Sequence, residues 1–583
     1  MSRKFLRILN SPDTSRCFQG IVVVAQELLR SQGITKGVNQ HVKNIDDGVK
    51  AIAAQLVKSQ ELSETLNSDQ DVIKDSSLES ATKRQEKTHN NFKAIVGESE
   101  RAMMLEVQRK YQDTTENKDR ERWQQKQKKV PDSPLARVAG FGSLAVGLVG
   151  GGVAEAVKRI GGASEQVSGP VFISENNSER LAKTLCRMRG AALKIGQMMS
   201  IQDESLMPPH LAQALEKVRQ NADVMPVSQL NRMLKDELGS EWETRFSEFD
   251  KIPFAAASLG QVHRAKIVVD KHLKPREIDV AVKIQFPGVA ESIDSDLANL
   301  KLLADVTGIF PKGIFINNII SVMKDELKEE CDYELEAEHQ MKFRRMIASE
   351  TVGDVLQFDN FYVPSVIPEL STKRILTTEW ATGVPIDRVA DFPASVRNSV
   401  GRRLLKLSLL ELFHFRYMQT DPNYSNFLYD VTNDRITLID FGATRSYDKD
   451  FVSTYLKLVW AASNSDRAEV LEVSKRLGFL TGEESQKMID AHIEAGLEVG
   501  RPFQRDAPFD FKGSKISNQM SRHGDTFAYE RLTPPPREIY SLHRKLSGAY
   551  MTCIKIGAIF PCRDLLVETV KSLKPELLLK SHM

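Results

Sequence analysis

At 583 residues the chain is too long for a single hydrophobic core and should divide into several units. Hydrophobic residues make up 41% and charged residues 27%, and the net charge of +2 gives no global attraction to nucleic acid. The five cysteines, Cys17, Cys186, Cys331, Cys553 and Cys562, are scattered without zinc or redox spacing, so reduced buried thiols are expected.

In chain order, Met1–Pro12 carries Arg3, Lys4 and Arg7 before the first acid, Asp13. Phe5, Leu6, Ile8 and Leu9 can share a helical face, as in an organelle presequence; a short docked helix is the other reading. From about Ser59 to Lys129 the chain is polar and charge-rich, as in a linker or a solvated helix. Val138–Ala154 then runs without charge between Arg137 and Glu155, at the lower length limit for a membrane span. Its six glycines disfavour a helix in water, and Gly147 and Gly151 have the spacing of close helix pairing in a bilayer. A Gly-rich helix buried in soluble protein remains the alternative.

Helical patterns follow at Glu179–Met199 and Pro208–Ala222, and strand-like runs at Val262–Val269 and Ile278–Ile284. After Pro385 helical periodicity dominates, with one hairpin inside it. A small strand-bearing lobe before a larger helical one predicts an α+β, protein-kinase-like bilobal fold with a helical N-terminal extension. The units expected are an arm (1–132), a Gly-rich membrane-associated segment (133–160), an extension (161–250), a small lobe (251–381) and a large lobe (382–583).

The chemistry concentrates between Gln419 and Gly442. Asp421 precedes Asn426 by five residues, and Asp440-Phe441-Gly442 follows, the order of a kinase catalytic loop and magnesium motif. In that pattern Asp421 positions or deprotonates an attacking hydroxyl, while Asn426 and Asp440 hold Mg²⁺ on the phosphates of ATP or ADP. Phe427–Tyr429 and Ile436–Ile439 are β-prone around the turn sequence Val431–Asp434, so a hairpin would bring both ligands to one end. Upstream, Val280-Ala281-Val282-Lys283 matches the strand whose lysine holds phosphates, and Glu336, on an acidic helix spanning Lys324–Met341, is the expected carboxylate partner. Where a kinase carries a Gly-rich loop this chain has Ala255-Ala256-Ala257-Ser258. Ala256 is the position expected nearest the phosphates, and alanine methyls limit how closely the backbone approaches them. Thr378, Glu379, Trp380 and Ala381, at the junction of the lobes, complete the nucleotide-binding candidates.

Four signatures together resemble the UbiB family of atypical kinases, especially its mitochondrial coenzyme Q members. They are Ala255–Ser258, Lys194-Ile195-Gly196-Gln197, Glu330-Cys331-Asp332, and Gln419-Thr420-Asp421-Pro422-Asn423. The resemblance implies ATP-dependent activity serving ubiquinone synthesis at the mitochondrial inner membrane. It implies as partners membrane lipid, isoprenoid quinone precursors, coenzyme Q biosynthetic proteins and a second copy of the chain. It also implies that the helix bearing Lys194, Gly196 and Gln197 folds over the acceptor side of the site, with Lys194 reaching Glu330 or Asp332. Gln419-Thr420 stand where kinases carry His-Arg, Asn423 replaces a common lysine, and no Ala-Pro-Glu follows Asp440-Phe441-Gly442; all three argue against protein substrates. Two readings stay open: an ATPase or small-molecule kinase, and an ATP-gated scaffold for a membrane biosynthetic complex.

Overall fold

The computed structural model describes residues 97–114, 224–257, 259–269, 275–307, 315–348 and 360–580. The presequence-like start, Val138–Ala154 and the helices expected at 179–199 and 208–222 lie outside the described residues, as do Lys194, Gly196, Gln197 and Ser258.

Within the arm expected to be a linker, Glu98–Thr114 forms helix α1. Met104 is fully buried and Gln108 nearly so, because this face packs against the large lobe. Helix α2 (Val227–Leu238) repeats apolar residues at helical spacing and buries Leu230, Met233, Leu234 and Leu238. They join Trp242, Phe246 and the small-lobe sheet in one core, so small-lobe packing reaches N-terminal of residue 251.

That sheet is antiparallel, in the order β1 (Glu248–Phe249), β3 (Gly260–Val269), β4 (Arg276–Gln285) and β6 (Ile375–Glu379), with β2 (Ala255–Ala256) also paired to β3. Strand alternation explains its two faces. Val280, Val282 and Ile284 of β4 point into the core, each gaining roughly 1.5–3 kcal/mol from burial. Ala281 and Lys283 take the opposite face. Three helices complete the lobe: α3 (Val289–Thr307), α4 (Ile316–Glu330) and α5 (Tyr333–Ala348). The single acidic helix expected over 324–341 is broken at Cys331–Asp332. The Asp332 carboxylate accepts the Leu335 N–H at 3.2 Å, so it starts a new helix rather than continuing the old one.

The large lobe holds a second sheet in the order β5 (Phe361–Tyr362), β10 (Arg435–Leu438), β9 (Phe427–Asp430) and β7 (Val384–Pro385). The β9–β10 hairpin is the one expected, and Asp434, at φ 46°, takes the left-handed conformation at its turn. Around it pack α6 (Ala394–Leu409), α7 (Lys449–Ser463), α8 (Arg467–Arg476), α9 (Gln486–Gly500), α10 (Arg537–Ile556) and α11 (Arg563–Leu573). Helix α6 runs on through a π-helical turn, Leu410–Phe415, into β8 (Tyr417–Gln419), which pairs with β11 (Thr444–Ser446). Cys331, Cys553 and Cys562 are free and buried. No described helix is long and apolar enough to cross a membrane.

Candidate active site

Register places a row of residues across the roof of the interlobe cleft: Ala255 opposite Val262, Val262 opposite Lys283, and Lys283 opposite Leu376. Directly opposed residues of antiparallel strands share a face. Ala255, Val262 and Lys283 therefore look the same way, and Ala281 pairs with Thr378 on that face. Ala256, opposite Gln261, lies on the other. The loop is short, with the Ala257 N–H donating to the Gly260 carbonyl at 2.8 Å. A Cβ at Gly260 would come within 2.3 Å of the Ile284 carbonyl oxygen, so only glycine permits this close approach.

Beneath the loop, one buried network has only one consistent set of protons. The Asp250 carbonyl can only accept, so His263 Nδ1–H donates to it at 2.8 Å and leaves Nε2 to accept from Gln261 at 2.9 Å. The Gln261 oxygen then accepts the Met225 N–H at 2.9 Å. This requires neutral His263, and burial pushes its pKa down to about 4.

Lys283 is clamped by carboxylates. Its Nζ lies 2.7 and 2.8 Å from the two Glu336 oxygens and 3.6 Å from Asp440, with the Tyr333 ring centroid 4.9 Å away. Burial opposes the Lys283 charge, yet Asp440 and Glu336 push its pKa well above the usual lysine value. Burial raises the Glu336 pKa, with Lys283 opposing and Asp440 adding to the rise. Glu336 reaches Lys283 because α5 buries Tyr333, Glu336, Ala337, Gln340 and Phe343, one helical stripe. Glu336 also accepts the Phe441 N–H, His339 donates to the Phe441 carbonyl at 3.3 Å, and the Phe441 ring packs 5.0 Å from Phe343. The strand, the helix and Asp440-Phe441-Gly442 are thereby tied together.

On the floor, the Ile439 N–H donates to the Asn426 carbonyl at 3.1 Å, one step beyond the Leu438–Phe427 pair. Asn426 and Asp440 thus meet at one end of the hairpin. Asp440 Oδ1 accepts the Gly442 N–H at 3.1 Å, and the buried Asn426 side-chain nitrogen has no hydrogen-bond partner. Asp421 accepts the Asn423 N–H at 3.2 Å in a tight turn, and Thr420 is bound to the Ala443 carbonyl through both its N–H and its hydroxyl. A Cβ at Gly442 would stand 3.4 Å from Glu336, 3.5 Å from Asp440 and 3.6 Å from Glu330. Glu330, at the end of α4, therefore borders the same cluster, whereas Asp332 caps α5 and lies 3.6 Å from Lys373.

At the lobe junction, the Trp380 N–H donates to the Asp279 carbonyl at 3.1 Å, and its ring meets Phe254 edge-on at 4.8 Å. The Glu379 side chain turns away from the Lys283 face and accepts from the Tyr362 hydroxyl and the Ser365 N–H. The Glu379 N–H donates to the Ser365 carbonyl at 2.8 Å, and Ala381 follows Trp380 directly.

The ABC1 atypical kinase-like domain matches residues 217–474. The chain is 43% identical over 446 residues to the atypical kinase COQ8B, mitochondrial, of Rattus norvegicus, covering 76% of this chain and 82% of that one. To the atypical kinase COQ8, mitochondrial, of Saccharomyces cerevisiae it is 40% identical over 445 residues, covering 76% and 86%. The atypical kinase coq-8, mitochondrial, of Caenorhabditis elegans is 44% identical over 448 residues, covering 75% of this chain and 57% of the relative. This chain belongs to the UbiB family of atypical kinases.

The UbiB signatures account for the roof and the floor but not for what supports them. Arg544 of α10 is buried, donates to the Thr420 carbonyl at 3.0 Å, and pairs with Glu326 of α4 at 3.1 Å. Burial opposes its charge, but Glu326 raises its pKa. Glu329 of α4 likewise meets Arg445 at 2.7 Å, and Asp325 meets Arg537. The acidic face of a small-lobe helix is thus fastened to three large-lobe arginines. Sequence reasoning missed Arg544 because it lies over a hundred residues beyond the catalytic loop. The only signal was an Arg-Lys pair falling next to apolar positions of an amphipathic helix, which is expensive to bury without partners.

Proposed function

We propose that this chain binds Mg²⁺–ATP and turns it over in support of coenzyme Q biosynthesis, at the mitochondrial inner membrane. It acts on, or moves, membrane-held isoprenoid quinone precursors rather than phosphorylating proteins. The carrying observation is Lys283, held charged between Glu336 and Asp440 directly above the Asn426–Asp440 pair. Mitochondrial relatives and the absence of a protein-kinase substrate platform support the address and the acceptor class.

The donor set fits the ion. Asp440 offers a carboxylate and Asn426 an amide oxygen, hard donors of the kind Mg²⁺ takes. Among the described residues no trio of His, Cys, Asp or Glu forms a metal cage, so the remaining ligands would come from phosphate and water. When bound, the ion would neutralise charge gathering on the phosphates. Lys283 holds phosphate oxygens from the roof, Glu336 keeps Lys283 oriented, and Asp421 orients the attacking hydroxyl or water and takes its proton.

Asp440→Asn should weaken metal-dependent nucleotide binding by about tenfold or more, with an unchanged thermal midpoint. Parental Mg²⁺–ATP affinity in that variant would overturn the site. ATP turnover by the full chain should rise with liposomes containing isoprenoid phenols, and equal turnover without them would remove the lipid reading. In mitochondria, complete release by carbonate would rule out a span at 138–154.

A further inference from the structure

Helix α10 lies under the whole catalytic loop, and two of its residues have no role in the reading above. Lys545 is buried and its charge is balanced by Glu411 at 2.9 Å, on the π-helical turn after α6. Its Nζ also donates to the Gln419 side-chain oxygen at 3.1 Å, and the Gln419 amide nitrogen donates to the Asp421 carbonyl at 2.8 Å. The direction of this relay is forced. An ammonium only donates, so the Gln419 oxygen must face it; a backbone carbonyl only accepts, so the Gln419 NH₂ must face Asp421.

One turn further along α10, Gly548 touches the loop independently. A Cβ there would stand 1.9 Å from Pro422 Cβ and 2.8 Å from its Cγ, so the residue after Asp421 rests directly on the helix backbone. Lys545 and Gly548 stand three apart and face one side of α10.

We propose that Lys545, acting through Gln419, and Gly548, acting through Pro422, are the positioning residues that set Asp421 in the cleft. The inference rests on the reading of Asp421 as the residue that orients the attacking group. It makes Gln419 a polarity-sensing link, with Lys545 replacing the support that a preceding arginine gives elsewhere. Displacement of Asp421 by a fraction of an ångström would slow chemistry while the Lys283–Glu336–Asp440 nucleotide grip stays intact.

The test uses full-length protein and ATP turnover. Lys545→Met combined with Glu411→Gln removes both charges together, so no buried ion is left unpaired. Gln419→Glu keeps the shape and still accepts from Lys545, but cannot donate to Asp421. Both should lower kcat about tenfold or more while KM for Mg²⁺–ATP stays within about twofold, and Gly548→Ala should give the same split. Parental kcat in folded Gln419→Glu and Gly548→Ala overturns the proposal, as does a loss confined to KM. Asp421→Asn separates the two failures. If it is inactive while the relay variants are not, the relay alone fails; if it matches the parent, the reading of Asp421 fails and takes the relay with it.

Discussion

At the scale of single residues, one buried histidine contributes a response to acid. His263 is fully buried and needs its Nε2 free to accept from Gln261. Burial pushes its pKa down to about 4. A histidine with a depressed folded pKa stays neutral while the unfolded chain gains a proton. Its contribution is complete above the unfolded value of about 6.5 and is lost as pH falls from there toward 4. Thermal midpoints should therefore drop between pH 6.5 and 4. His263→Gln, which keeps one donor for the Asp250 carbonyl and one acceptor for Gln261, should flatten that drop; an unchanged pH slope would show that His263 does not contribute.

At the scale of elements, α4 illustrates how burial decides the worth of an ion pair. Glu326 and Arg544 are each about 3% exposed, whereas Arg537 is 65% exposed in its pair with Asp325. Glu326→Leu leaves Arg544 buried without its carboxylate and should cost about 3–5 kcal/mol, while Arg537→Ala should cost less than about 1 kcal/mol. Equal costs in chemical denaturation would refute this ranking. The same helix shows what sequence can reveal. Lys283, Asn426 and Asp440 were legible because each sits at a fixed offset within one strand or hairpin, where local geometry decides which way it faces. The break at Cys331–Asp332 was not, since continuous helical periodicity across it hid a cap that only the Leu335 N–H discloses. The side of the loop taken by Ala256 was equally hidden, because a two-residue strand has no pattern of its own and takes its register from β3. Arg544 and Lys545 depend on contacts across the whole large lobe, which no local spacing encodes.

At the scale of the molecule, the interlobe cleft depends on chain far from it on both sides. Helix α10 supports the loop at Asp421, and α1 holds the back of the β9–β10 hairpin. Gln108 accepts the Val431 N–H at 3.0 Å in a buried site, and Arg101 donates to the Thr432 carbonyl. Gln108→Ala would leave that N–H buried and unpaired, at about 1–3 kcal/mol. It should speed hydrogen exchange at Val431 more than at Lys283; uniform exchange changes would argue against a local strap. Because α1 grips the large lobe while α2 belongs to the small one, residues 115–223 connect the lobes a second time, besides the junction at Trp380. The two ends of that connector are thus anchored on different lobes, besides the α4 contacts to Arg445, Arg537 and Arg544. A cut in residues 115–223 would separate those two anchors along the chain, so protease nicking there is a way to ask whether the covalent link restrains the lobes beyond what the α4 contacts already do.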